Sequence, residues 1–330
     1  MMMARAHWRS WLLAALASGM LAGCASRSVA PRWDGIAYVA MGPGRAVAVV
    51  DLGAGRVLGR LPVSVESHGI AATRDGRRLV VADLTTGDAL EVLDATTGAR
   101  LGRVVVGKGS HHLTLTPDGR RLYVTRSEAG RVAVVDVQTL AVVADVETGA
   151  GANYAVVSPD GRAAYVSNMD ANSVAVVDVV TSRVTASIPA GRRPGHMALS
   201  PDGSRLYVAN EGSGTLAVLD LKQQARVGSV RVGNEPHGVA VSPDGARAYV
   251  TSHEDGSVSA VDTASLAVLQ AVKVGAKPEH VEMAPDGRWL LVARPEAGEL
   301  VVLAADALAT VRRIPVGAEP HQIAFRLTVP

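Results

Sequence analysis

Short runs of alternating apolar and polar residues, each closed by turn residues, recur from about residue 36 to residue 325. Period-2 alternation places every second side chain on one face of a half-buried β-strand. One unit shows the plan. His237-Gly-Val-Ala-Val-Ser predicts a strand a, and Ser-Pro-Asp-Gly predicts a tight turn with Pro and Gly where φ demands them. Arg247-Ala-Tyr-Val-Thr then predicts strand b, Val258-Ser-Ala-Val-Asp strand c, and Leu266 to Val274 strand d. The turn or its variant returns with Asp at 75, 118, 160, 202, 244 and 286, spaced by 43 residues and then four times by 42. Strand c ends in Asp at 51, 94, 136, 178, 220 and 262, with Ala304 breaking the series. Both aspartate series read as structural, because a carboxylate beside a turn accepts backbone N–H bonds. Units of this length holding four strands predict propeller blades.

The ends fix the number of blades. The chain starts inside a unit, with strand b (Ala37-Tyr-Val39), strand c (Ala46 to Asp51) and strand d (Val57 to Val63). It finishes on a lone strand a, His321-Gln-Ile-Ala-Phe325. These four complete one another, so blade 1 draws on both termini and six full units follow. The expectation is an all-β, seven-bladed propeller over residues 35–330, closed without a free inner edge.

Tyr165-Val-Ser-Asn168 and Tyr207-Val-Ala-Asn210, each followed by a Val-Ala-Val-Val-Asp-like strand, together with Pro236-His-Gly-Val-Ala-Val-Ser-Pro-Asp-Gly245, resemble the YVTN-repeat (YncE-like) β-propeller family. The resemblance covers about residues 36–325. Related propellers include lactonase-like enzymes, the haem-d1-binding domain of nitrite reductases, and many periplasmic proteins with no known reaction. The motif implies the fold and says little about function.

Residues 1–23 resemble a lipoprotein signal peptide. Arg5 and Arg9 precede the apolar run Trp11 to Ala17, which is too short to span a bilayer, and Leu21-Ala22-Gly23-Cys24 resembles a lipobox. Cys24 is the only cysteine, so no intrachain disulfide is open to the protein. The resemblance implies lipid on Cys24, a tether over residues 24–34, and a place in the periplasm. Ala25 after the cysteine favours the outer membrane over the inner. The leader holds two of the 33 basic residues, leaving 31 against 31 acidic ones, and aromatics are 3% of the chain. Nucleic acid is therefore disfavoured as a partner.

Eight histidines lie beyond the leader. Seven fall at two adjacent positions where strand a begins, and only His253 stands elsewhere, in a b–c loop. From blade 1 to blade 7 the first position reads His321, His68, His111, Asn153, Gly195, His237, Glu279; the second reads Gln322, Gly69, His112, Tyr154, His196, Gly238, His280. Ring closure puts blades 6, 7, 1, 2 and 3 side by side, so His237, Glu279, His321, His68 and His111 are expected around one funnel. Three readings stay open. The histidines belong to the repeat and set the d–a turn; they hold a transition metal or haem-type cofactor, for which imidazoles and a carboxylate are suited; or they form an acid–base site for a small anionic molecule. His112, His196 and His280, with Arg126 and Arg294 from the ends of strand b, are expected to support the ligand. Met41, Asp83, Asn168, Asn210 and Ser252 occupy the same strand-b position, and Arg192 and Arg193 lie on a neighbouring loop.

The sequence contains no Gly-rich phosphate loop, paired-cysteine metal motif or nucleophile elbow. The expectation is a lipid-anchored binding module with a His-lined funnel for a ligand, metal or cofactor, or with a periplasmic protein partner on that face. The alternatives are a lactonase- or lyase-like enzyme with a funnel His as general base, and a purely structural envelope protein.

Overall fold

The predicted runs become seven four-stranded antiparallel sheets in a computed structural model, which describes residues 32–83 and 88–328. The leader and Cys24 lie outside these residues. Blade 1 pairs its C-terminal strand a (Pro320–Thr328) with strand b (Arg32–Met41), which continues through strands c (Ala46–Asp51) and d (Arg56–Pro62). Blades 2 to 7 follow in chain order, each running a-b-c-d outwards. No helix occurs among the described residues. Strand b of blade 1 begins three residues inside the expected tether, because Arg32 and Trp33 pair with Thr328 and Leu327. Every strand of every blade thus comes from residues 32–328, and the ring needs nothing from the leader.

Apolar side chains from facing sheets interdigitate between neighbouring blades. Tyr38 of blade 1 donates across the gap to the Ala95 carbonyl of blade 2, and Tyr249 of blade 6 to Ala305 of blade 7 (2.7 Å). In these two blades the strand-b tyrosine gives the core a ring and latches the next blade with its hydroxyl, whereas the Tyr123 hydroxyl is buried without a partner. Both aspartate series act as expected. Asp136 Oδ1 accepts from the amides of Gln138 and Thr139, and Asp118 Oδ1 from Thr116 Oγ1 and the Arg120 amide.

One irregularity positions the site. Where strand a begins, the pairing slips by one residue in blades 1 to 6, as between Ser67 and Ile70 or Ser110 and Leu113. A bulge places two residues opposite one and bends the strand. The bulge spans the two positions where the histidines sit, which is how adjacent residues can both serve the central funnel.

Candidate functional site

At the first position, imidazoles and a carboxylate form an arc around the funnel. His68 of blade 2 lies 4.4 Å from His111 of blade 3 and 4.5 Å from His321 of blade 1, ring centre to ring centre. His321 Nδ1 meets Glu279 Oε2 at 3.1 Å. The other Glu279 oxygen lies 3.6 Å from His253 Nε2, and His253 stacks on His237 with centroids 5.0 Å apart and planes 7° apart. His111 is anchored separately, its Nδ1 3.2 Å from the Asn153 carbonyl.

The second position forms a floor beneath the arc. Tyr154 is stacked between His112 (3.6 Å) and His196 (4.1 Å), and His196 meets His280 at 4.5 Å. Gln322 spans the gap left by Gly69. Its Nε2 contacts His112 Nε2 at 2.9 Å and donates to the Leu113 carbonyl at 3.1 Å, while its Oε1 accepts from the Ile70 amide. A side chain at position 69 has no room, since a Cβ there would lie 2.5 Å from the His111 carbonyl oxygen. Below the floor, Glu282 stands in a column otherwise filled by Ala324, Ala71, Thr114, Val156, Ala198 and Ala240.

Burial sets the charges. It holds His68, His112, His196 and His280 well below the ordinary histidine value, and neighbouring imidazoles push the same way. His237 is lowered to about 4, again chiefly by burial. Burial alone would raise the Glu279 carboxyl, but hydrogen bonds from His253 and His321 outweigh it, and the group is held far below the usual carboxylate range. Glu282 has only burial acting on it and is pushed up to about 8. At neutral pH His68, His112, His196, His237 and His280 are therefore neutral imidazoles near one fixed anion, with a protonated acid beneath.

The structure brings His68, His111, His237, Glu279 and His321 together as expected, with His112, His196 and His280 beside them, but not as metal ligands. Among the described residues no three His, Cys, Asp or Glu side chains are placed to hold a metal ion. The physical reason is local. Glu279 and His321 point at each other, His111 Nδ1 faces a carbonyl, and His68 lies against its neighbours at interplanar angles of 33° and 34°. Nitrogens ordered in this way do not converge on one point.

Arg126 and Arg294 are likewise not free rim cations. Arg126 pairs with Asp145 and Arg294 with Glu299, both in their own blades. The strand-b position they share has a structural task. Asn168, Asn210 and Ser252 donate to the carbonyls of Thr148, Ala190 and Val232 at the end of the preceding blade's strand d. Residues at this position also lie over the recurrent glycine of that blade: Asn168 is 3.0 Å from where a Gly149 Cβ would be, and Gly149 takes φ 137°, open only to glycine.

His253, Tyr154, Gln322 and Glu282 complete the site and were not among the residues singled out from sequence. Three of them carried a signal. Tyr154 and Gln322 occupy the histidine column, and Glu282 is the one acid among mostly alanines. His253 borders a pocket of about 430 Å³ with Arg193, Glu211, Glu235 and His237, a size suited to a small molecule.

Fold and site together define a seven-bladed propeller with an imidazole–carboxylate funnel. The chain belongs to the lactonase, seven-bladed β-propeller family, whose model matches residues 63–227, half of the sequence. The cytochrome D1 haem domain model matches residues 206–324. The periplasmic gluconolactonase PpgL of Pseudomonas aeruginosa superposes with TM-score 0.74 at 22% identity, over 89% of this chain and 99% of that one. The dihydro-haem d1 dehydrogenase NirN, in complex with DHE, gives 0.65 at 18%, over 88% and 74%. Hydrazine synthase of Kuenenia stuttgartiensis gives 0.67 at 22%, over 77% and 87%. At these identities the likeness establishes the fold alone. Among curated proteins, no sequence matches the chain.

A haem-type macrocycle does not fit the side chains present. His237 Nδ1 and both nitrogens of His280 have no partner and are suitable donors. His280, however, is 1% exposed and lies behind the arc. The carboxylates that such a macrocycle carries need cations, and among the described residues the only one lining the adjoining pocket is Arg193, which already faces two carboxylates. Arg193 is engaged with Asp170 and Glu211, Lys277 with Glu296, and Arg294 with Glu299.

Proposed function

We propose that this propeller binds a small cyclic ester of the sugar-lactone class in its funnel and opens it by hydrolysis, with His321 as the general base. The observation that carries the reading is the 3.1 Å contact between His321 Nδ1 and Glu279 Oε2. A proton donated from Nδ1 to a permanent carboxylate fixes the tautomer and leaves the Nε2 lone pair to act as base. His321 Nε2 takes a proton from water, and the resulting hydroxide adds to the ester carbonyl. The tetrahedral adduct expels the ring oxygen, which recovers the proton from Nε2, and a hydroxy acid leaves. Glu279 stabilises the imidazolium while it exists. The adjoining pocket, lined by Arg193, Glu211, Glu235, His237 and His253, supplies room for the sugar. Membership of the lactonase family supports the reaction class.

The test is hydrolysis of a panel of five- and six-membered sugar lactones, followed by release of acid. His321→Gln is expected to lower kcat/KM by roughly 10²–10⁴-fold. Failure of the wild-type protein on every lactone, or full activity in His321→Gln, would overturn the reading.

The same proposal places the protein on the periplasmic face of the outer membrane, held by lipid on Cys24. Mass spectrometry of the mature N-terminus checks this: an acylated Cys24 is expected, and an unmodified or internal start would refute it.

A further inference from the structure

Strand b of blade 1 has two ends on opposite faces of the ring. Met41 pairs with Pro320 beside the funnel, whereas Arg32 pairs with Thr328 at the far face. The chain therefore enters the propeller on the face that carries the a–b and c–d turns. Two features flank that point. On one side, a pocket of about 210 Å³ between blades 7 and 1 is lined by Trp33, Trp289, Leu52 and Val302, with the Arg288 guanidinium 5.8 Å over the Trp289 ring. On the other lies the a–b turn of blade 2, so close that a Cβ on Gly76 would meet the Leu327 carbonyl at 2.4 Å.

That turn opens onto two adjoining pockets of about 690 and 530 Å³ that share Arg74, Asp118 and Arg120. Five arginines and four aspartates line them. The aspartates of the two turns are engaged, since Asp75 and Asp118 accept from Thr73, Thr116 and the following amides. Arg78 and Arg121 donate to the carbonyls of Val137 and Val179. Arg74, Arg77 and Arg120 are exposed; Arg77 lies near Asp75 and Arg120 near Asp118 without forming an ion pair, so their guanidinium groups stay open to a ligand. Val180, 78% exposed, stands at the edge of the same surface.

We infer that this face is a membrane-docking surface for anionic phospholipid headgroups, with the funnel turned away from the bilayer. Free arginines beside half-buried tryptophans are what a bilayer interface selects: the guanidinium takes the phosphate, and the indole sits at headgroup level. The length of chain agrees. From Cys24 to Arg32 a fully extended backbone reaches at most about 29 Å, so a lipid on Cys24 would hold the point of entry within that distance of the bilayer. That part rests on the lipidation proposed above; the surface chemistry does not.

The experiment separates the two. Residues 25–330 contain the closed ring and no cysteine, and their only tryptophans are Trp33 and Trp289, so fluorescence reports on this face alone. The protein is sedimented with phosphatidylglycerol-containing vesicles and with pure phosphatidylcholine vesicles. Binding to the anionic vesicles only, weakened by salt, with a blue shift of tryptophan emission, is the expected result. Arg74→Gln, Arg77→Gln and Arg120→Gln together are expected to weaken it on the order of a hundredfold, about fivefold for each charge. Their exposure makes a folding failure improbable, and an unchanged Tm and unchanged lactone hydrolysis establish that the variant is intact. Equal partition onto both vesicle types, or undiminished binding by an intact triple variant, would overturn the inference whatever the state of Cys24.

Discussion

Acidification is expected to unfold this propeller through its funnel. His68, His112, His196, His237 and His280 are neutral in the folded protein because burial disfavours the imidazolium. In the unfolded chain each takes a proton near pH 6.5. Below that value the unfolded state binds more protons, so stability falls as pH falls; above it these groups contribute nothing. His237, lowered to about 4, costs about 2 kcal/mol at pH 5, and any histidine that stays neutral there costs about the same. The other four, which burial holds well below the ordinary value, add losses of the same sign. Glu282 works in the opposite direction. Its folded value of about 8 makes the folded state the better proton binder between roughly pH 4.5 and 8, and moving from pH 7 to 5 returns about 2.5 kcal/mol. With five groups losing and one gaining, the balance falls on destabilisation, in a fold whose whole stability is that of a typical domain, about 5–15 kcal/mol. Urea unfolding followed near pH 7.5 and near pH 5 measures it directly. His237→Asn is expected to shrink the difference between the two by about 2 kcal/mol. Equal midpoints at the two pH values would refute the account, because charged imidazoles would then have to be accommodated in the folded funnel.

Other substitutions test the packing and the chemistry. Gly69→Ala sets a Cβ 2.5 Å from a backbone oxygen that cannot retreat, and is expected to cost about 1–3 kcal/mol by thermal unfolding. Gln322→Leu leaves the buried Ile70 amide and the Leu113 carbonyl without their partner, for a loss of about 1–3 kcal/mol on the same measurement. Glu279→Gln removes the anion that orients His321; turnover of a lactone should fall while Tm changes little, and unimpaired turnover would show that the pair has no part in catalysis.

The repeat made the fold legible. Six turns at a near-constant spacing, with three strands at one end and one at the other, determine seven blades and their closure, since each unit shows the same local chemistry six times. The histidine column was visible for the same reason. Its two layers were not, because strict alternation sends adjacent residues to opposite faces, and only the bulge between Ser110 and Leu113 lets His111 and His112 both serve the funnel. Column position also misled for Arg126 and Arg294. A column shows which residues share a height in the ring, but the ion pairs to Asp145 and Glu299 run across strands within one blade. His253 came from a loop with no column at all.

The strand that closes the ring brings His321 and Gln322 with it. His321 and the floor's bridging amide are therefore supplied by the strand that follows blade 7, and they take their places beside blade 2 when the two ends of the propeller meet. A chain that stops before residue 320 lacks its latch and His321 together. A full-length chain whose first strand has paired elsewhere leaves both out of place. Under the proposed reaction, activity would then report on assembly, because the residues that close the ring and the residue assigned as base share one strand.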